Sequence, residues 1–360
     1  MKPNSPAIKS VKARAVDAPI SRPVKNAFGV IGSAPLILID VSTDQGVTGR
    51  SYIFAYTPLA LKPLVQLIEG LGSELVGKKI APHELMALMD ARFRLLGWQG
   101  LVGMAVSGLD MAFWDALGQL AGQPLVTLLG GSPRPIRAYD SYGVVDPDAD
   151  KAALRRSLER GFRGIKIKGG DGDLANDVRV VRAVRDLIGP DIALMVDFNQ
   201  SLDPSEAKRR IERLAPYDLH WIEEPVPAEN LRGHAEVCAA SPISIQSGEN
   251  WWFLRGFAEA IASRACHFIM PDLMKVGGVT GWLRVAGLAE AASIPMSSHL
   301  FAEASAHMLP VTPTAHWLEL LDLAAAILEE PVQVVDGAVT ARGPGLGLTW
   351  DEAAVAKYQK

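Results

Sequence analysis

Residues 192–202 read Ile-Ala-Leu-Met-Val-Asp-Phe-Asn-Gln-Ser-Leu. A short apolar run ends on an acid, Asp197, and a polar turn follows it. The same device recurs along the chain. Gly164-Ile165 leads to Lys166 and Lys168, His220-Trp221-Ile222 to Glu223, and Ile243–Gly248 to Glu249. Phe268–Pro271 leads to Asp272, Ile294–Ser298 to His299, and His316-Trp317-Leu318 to Glu319. From Lys168 onward, successive tips lie 20 to 29 residues apart. That interval accommodates one strand and one helix. Parallel strands joined by right-handed helical crossovers close into an α/β barrel whose site lies at the C-terminal strand ends. The spacing therefore predicts that these polar tips converge on one pocket.

Outward from this core, the barrel rhythm starts with a strand at Pro135–Gly143 and ends with one at His316–Leu323. Helices are expected at 149–160, 173–188, 204–214, 229–240, 252–263, 278–291 and 302–309. The first part of the chain differs in texture. Val11–Pro19, Pro35–Val41 and Val47–Phe54 alternate as an antiparallel meander. Ser21–Ser33, with Pro23, Gly29 and Gly32, reads as a long loop between the first two strands. Leu59–Leu71, Pro82–Leu96 and Leu101–Leu117 carry apolar residues at helical spacing. Gly103 and Gly108 in the third of these suggest close helix packing. Val332–Val339 reads as a hairpin turning at Asp336-Gly337. The expected division is an α+β capping domain at 1–132, a barrel at 133–323, and a segment at 324–360 packing back on the cap.

Length agrees with this plan, because a barrel takes roughly 250 residues and the chain has 360. The net charge of −4 gives no reason to expect nucleic acid or an anionic membrane as partner. Cys238 and Cys266 show no metal spacing and lie among apolar residues, which suits buried free thiols in a reducing cytoplasm. The N-terminal MKPNSPAIKS lacks an apolar core of signal length, and no uninterrupted apolar stretch reaches about 18 residues.

The residue types at the tips describe a reaction. Asp197, Glu223 and Glu249 are hard oxygen donors on three successive strands, which suits Mg²⁺ better than zinc. Lys166 and Lys168 are two apart on one strand and share a face. If that face is the interior, each ammonium and the loss of water lower the other's pKa, and a neutral amine becomes a usable base. Asp272, one repeat before His299, would orient the imidazole and raise its basicity. Lys168 and His299 then flank a metal-bound carboxylate from two sides. Glu319, if protonated, could donate a hydrogen bond to the developing enolate oxygen. His307 and His316 read as structural.

At these residues the chain resembles the mandelate racemase subgroup of the enolase superfamily. The likeness extends through Ser51–Leu59, Val196–Leu202, Trp221–Pro225, Gly248–Trp251, Met270–Trp282, Ile294–Phe301 and Thr312–Glu319. It implies a modified (β/α)7β barrel under an α+β cap, with specificity segments near 21–33 and 51–58. It implies Mg²⁺ on Asp197, Glu223 and Glu249. Lys168 matches the base for the S enantiomer, His299 with Asp272 the base for the R enantiomer, and Lys166 and Glu319 the groups at the substrate carboxylate. Asn199 matches the residue near the substrate hydroxyl, and Ser141 falls in the substrate-binding region. Val24, Phe28, Ile31, Tyr56, Leu300 and Leu321 would form an apolar wall. Lys25, Phe28 and Ile31 stand where the pattern has a histidine, a smaller apolar residue and a valine, and Ser141-Tyr142-Gly143 also departs from it. The expected partner is a small carboxylate, and the family's members usually assemble from identical chains. Two other readings use the same residues: an acid-sugar dehydratase, in which the histidine expels a hydroxyl, and a metal-binding scaffold without activity.

Overall fold

A computed structural model describes residues 6–26 and 29–360. The chain opens with a three-stranded antiparallel sheet, β1 (Ile8–Asn26), β2 (Gly29–Thr43) and β3 (Thr48–Phe54). Of the next helices, α1 (Leu61–Leu75), α2 (Pro82–Phe93) and α3 (Leu101–Ala121), the first and third pack on the sheet and α2 packs on α3; the short α4 (Leu125–Leu128) follows. By length and composition α3 could cross a membrane. Its residues are instead buried against β2 and β3 on one side and barrel helices on the other, as a core helix. Close approach explains its glycines: a Cβ on Gly108 would stand 2.5 Å from Ile39 Cδ1, and one on Gly103 would stand 2.5 Å from the Trp98 carbonyl oxygen.

Barrel strands and helices then alternate. The strands are β4 (Ile136–Val144), β5 (Gly164–Lys168), β6 (Ala193–Asp197), β7 (Leu219–Glu223), β8 (Ile245–Ser247) and β9 (Phe268–Ile269). Between and after them come α5 (Lys151–Glu159), α6 (Leu174–Ile188), α7 (Pro204–Leu214), α8 (Leu231–Ala240), α9 (Phe253–Ala262), α10 (Leu273–Val276) and α11 (Gly278–Ala292). All six strands are parallel neighbours in this order. Segment 294–299 takes the next place, with parallel bridges from Met296 to Ile269 and to Ala315. Helix α12 (Ala302–Met308) leads to β10 (Leu318–Leu320), which pairs with β4 and closes the ring. Eight strand positions are thus linked by seven crossovers, the modified (β/α)7β plan. Period-two alternation fills both faces. Ile165, Ile167, Leu194, Val196, Ile222 and Ile245 pack outward. Tyr139, Met195, Trp221 and Trp317 fill the interior.

The expected loop at Ser21–Ser33 is instead the end of a long hairpin. Val24 pairs with Ile31, Lys25 with Val30 and Asn26 with Gly29. Its breakers are absorbed by an irregularity: Pro19 pairs with Ser33, so residues 20–23 face the single residue 32. Phe28, expected in the apolar wall, lies outside the described residues. The hairpin lies against β4 and reaches the turn after β5. Arg22 Nη2 donates to Asp140 Oδ1 at 2.6 Å and to the Ser141 carbonyl at 2.7 Å, and its guanidinium lies 3.6 Å from the Tyr142 ring centre. Lys25 Nζ reaches Asp171 at 3.1 Å.

The tail makes contacts in two places. Strands β11 (Val334–Val335) and β12 (Ala338–Val339) form a hairpin that pairs antiparallel with the start of β4. Beyond it, Leu346 N–H donates to Asp115 at 2.5 Å and Trp350 Nε1 to Asp40 at 2.8 Å. Helix α13 (Glu352–Tyr358) packs against β1.

Candidate active site

Strand ends set the site. Asp197, Glu223 and Glu249 end or follow β6, β7 and β8, are buried, and offer carboxylate oxygens within 4.8 Å of one another. Lys166 is 1% exposed and lies among acids. Its Nζ contacts Glu223, lies 2.7 Å from Glu319 Oε1 and 3.9 Å from Asp197 Oδ2. Lys168 Nζ donates to Asp197 Oδ2 at 2.6 Å. On the other side, His299 Nδ1 lies 2.7 Å from Asp272 Oδ2, and its Nε2 3.3 Å from Glu249 Oε2 and 3.8 Å from Glu319 Oε2. Thus Lys168 touches one end of the triad and His299 the other. Their strand positions are second and seventh in the ring of eight.

The backbone is held in unusual conformations around this centre. Tyr56, Asn199, Glu224, Leu300 and Phe301 have φ between 40° and 59°. Such left-handed residues cost free energy, and they cluster where a site demands them. The Asn199 N–H and Nδ2 both donate to Asp197, at 2.7 and 3.0 Å, while its buried Oδ1 has no protein partner. The Leu300 N–H donates to Glu319 Oε2 at 3.0 Å.

Charge explains what the site can hold. Burial, together with Asp197, Glu249 and Glu319, pushes Glu223 up to about 8 against the pull of Lys166. Three buried acids in so small a volume exceed the positive charge the lysines provide. A divalent cation with a preference for hard oxygen resolves that excess, so the donor set fits Mg²⁺. Two expectations from the sequence are corrected. Burial does lower both lysines, but the carboxylates outweigh it: Glu223 and Glu319 raise Lys166 well above its ordinary value, and Asp197 raises Lys168. The other is Glu319, whose expected role as a donor needs a proton. Burial would raise it, yet Lys166 and His299 drive it down to about 2. His299 behaves as expected: burial lowers it, and Glu249, Glu319 and Asp272 raise it to about 9.

The residues expected to bind substrate do not all meet. Tyr56 is close enough for its hydroxyl to feel Asp272, Glu249, Glu224 and Glu319. Leu300 is buried beside Glu319, and Ser141 pairs in register with Lys166. Val24 and Ile31 face each other in the hairpin. Leu321 lies apart, lining a crevice of about 150 Å³ with Ser21, Arg22, Glu303 and Asp322.

Several supporting groups escaped the sequence reading. Asn250 Nδ2 donates to both oxygens of buried Glu224 at 2.9 Å, and Lys275 Nζ donates to Asn250 Oδ1 at 2.5 Å. Trp221 Nε1 and Gln246 Nε2 donate to Glu223 Oε2 at 2.9 and 3.2 Å. Tyr52 joins the cap to the barrel through Glu303 at 2.6 Å. Glu224, Asn250 and Lys275 sit inside the motifs already singled out, as the second acid, the residue after Glu249 and the lysine after Asp272.

Comparison with known proteins agrees with this geometry. Residues 8–130 match the mandelate racemase / muconate lactonizing enzyme N-terminal domain, and residues 149–354 the enolase C-terminal domain-like family. A Bradyrhizobium enolase, solved in complex with magnesium and mandelic acid, is 70% identical with a TM-score of 0.98, over 99% of each chain. The 3,6-anhydro-alpha-L-galactonate cycloisomerase of Streptomyces coelicolor is 32% identical over 92% of this chain and 93% of its own. The L-talarate/galactarate dehydratase of Salmonella typhimurium is 33% identical over 72% of this chain and 66% of its own. The site is that of a Mg²⁺-dependent enzyme with two opposed bases, an isomerase by its arrangement. With both domains matched and the metal triad, lysines and Asp–His pair assembled at the strand ends, the chain belongs to the mandelate racemase subgroup of the enolase superfamily.

Proposed function

We propose that this protein interconverts the enantiomers of mandelate, or of a similar 2-hydroxy acid with an aromatic or apolar substituent. The observation that carries the proposal is the placement of Lys168 and His299 at opposite ends of the triad, 2.6 Å from Asp197 and 3.3 Å from Glu249. Bound by Asp197, Glu223 and Glu249, Mg²⁺ would draw electron density from the substrate carboxylate and acidify the neighbouring C–H. Lys168 takes the α-proton of the S enantiomer, and His299, aligned by Asp272, returns one to the opposite face. Reversal of these roles serves the R enantiomer. Lys168 owes its proton to Asp197; when that carboxylate is engaged elsewhere, burial and the Lys166 charge both favour the free amine. Lys166 holds the substrate carboxylate. Glu319 faces that carboxylate, and a second anion beside it raises its affinity for a proton, making it a hydrogen-bond donor. Asn199 accepts from the substrate hydroxyl, a role supported by its buried Oδ1 having no protein partner.

The mandelic acid complex of the Bradyrhizobium relative supports the choice of substrate. A dehydratase acting on acid sugars is the second reading, suggested by the talarate/galactarate relative. Against it, the hairpin cations that could bind a polyhydroxylated chain are already paired, Arg22 with Asp140 and Lys25 with Asp171. An assembly of identical chains in a cytoplasmic setting belongs to the same proposal, and the buried free thiols Cys238 and Cys266 support that setting. The test is proton NMR in D₂O with Mg²⁺ and each mandelate enantiomer. Exchange of the α-proton and loss of optical rotation are expected from both, and neither after chelation. No exchange on mandelate, with keto-acid product from an aldarate, would replace racemisation by dehydration.

A further inference from the structure

The barrel interior below the metal triad is not filled by apolar side chains alone. A polar chain runs through it from a half-buried histidine to Glu223. His220 enters the interior because β7 carries one more residue than its partner: Leu194 pairs with Leu219 and Met195 with Trp221, leaving His220 as a bulge. Simple alternation would place it with the outward-facing side chains. Its Nε2 accepts the Trp317 indole N–H at 3.2 Å and lies 3.3 Å from His316 Nε2. An indole nitrogen only donates, so the single lone pair of His220 Nε2 accepts that bond. His316 Nδ1 lies 3.4 Å from Ser297 Oγ. Ser297 Oγ donates to Gln246 Oε1 at 3.1 Å. Gln246 Nε2 donates to Glu223 Oε2 at 3.2 Å.

Gln246 and Ser297 are fully buried. Reversing the amide would set its oxygen against a carboxylate and its NH₂ against the hydroxyl, so one orientation alone serves Glu223. With Trp221 Nε1 at 2.9 Å, Glu223 Oε2 has two fixed donors below it, and its Oε1 faces Lys166. Groups behind a ligand set its angle and basicity, and with them the affinity of the metal.

We infer that Gln246 is a positioning residue for the Mg²⁺ ligand Glu223, and that Ser297, His316 and the bulged His220 hold its amide in register. The inference rests on the reading that Glu223 binds Mg²⁺. Its test is isothermal titration of Mg²⁺ into the metal-free, substrate-free protein, beside thermal unfolding of the same samples. Gln246→Met keeps the length and removes both polar ends, and it is expected to raise the Mg²⁺ Kd about tenfold. Ser297→Ala shifts Kd in the same direction by less, and Ser297→Thr, which keeps the hydroxyl, returns it towards wild type. A positioning role leaves the metal-free unfolding midpoint near wild type; a role in packing alone lowers that midpoint and leaves Kd in place. Wild-type Kd values in Gln246→Met and Ser297→Ala, with binding lost in Glu223→Gln, overturn the inference and leave the metal site standing. Undisturbed binding in Glu223→Gln overturns both. Should Gln246→Met fail to fold, Ser297→Ala decides on the same readout.

Discussion

Replacing His299 by Asn removes one of two opposed bases while Lys168 stays beside Asp197. Racemisation should fall by several orders of magnitude, because no group remains to deliver a proton to the far face. Exchange of the S enantiomer's α-proton through Lys168 should survive, and the R enantiomer should not exchange. NMR of each enantiomer in D₂O separates the outcomes; equal loss from both would show that the two residues do not act on opposite faces. The places of these residues were legible because a strand end fixes where a residue goes. Protonation states were not. Whether a buried lysine is raised or lowered depends on which acids face it across the ring, and local sequence does not record that Lys166 meets both Glu223 and Glu319. Asn250 was illegible for a similar reason: its part as a link between Glu224 and Lys275 exists only once β7, β8 and α10 are adjacent.

Among the elements, the β1–β2 hairpin departs furthest from its sequence pattern. Pro23, Gly29 and Gly32 read as breakers, yet pairing resumes at Val24–Ile31 after four residues have bulged opposite one. Strand pairing is a two-strand property, and a one-strand pattern misses a bulge. The barrel strands were readable because each is sealed on both faces by its own residues. What fixes the hairpin against β4 is Arg22, on Asp140, the Ser141 carbonyl and the Tyr142 ring. Close backbone contact adds to this: a Cβ on Gly143 would stand 2.6 Å from Lys25 N and 2.7 Å from its carbonyl oxygen. Hydrogen bonds to a charged group contribute about 1.5–3 kcal/mol each. Arg22→Ala should therefore reduce the population of the seated hairpin. Apparent affinity falls with the competent fraction, so KM should rise about five- to tenfold with kcat much less affected. Hydrogen exchange at Val24, Lys25, Val30 and Ile31 should quicken in parallel. Unchanged KM and exchange would mean that the hairpin is held by its own pairing alone.

At the scale of the molecule, the cap is joined to the barrel and tail by buried acids on α3. Asp110 accepts from Thr280 N at 2.9 Å and from Thr280 Oγ1 at 2.6 Å, at the start of α11. Asp115 accepts from Arg50 N at 2.7 Å and Leu346 N at 2.5 Å, tying β3 and the tail to the same helix. Burial raises both to about 7 against the pull of these bonds. A folded pKa above the unfolded 3.8 means that the native state binds more protons between these values. The contribution of each acid is thus fully present below pH 3.8 and lost as pH rises through about 7. Buried His234 and His307 and half-buried His316 act oppositely: loss of water lowers the first two to about 4 and His316 to about 3, so their neutral forms favour folding as pH rises. The wild-type profile mixes these opposing slopes, and a comparison between variants isolates one. Asp110→Asn keeps an oxygen for the Thr280 N–H and never ionises. It should be less stable than wild type near pH 5, where Asp110 is protonated and both its bonds are made. Above pH 7 the wild type carries a buried charge that the variant lacks, and the gap should close or reverse, by on the order of 2 kcal/mol. Denaturant unfolding of both proteins at pH 5 and pH 8, in chelator to remove the metal contribution, gives the double difference. A gap independent of pH would show that Asp110 stays ionised throughout, with Thr280 alone stabilising its charge.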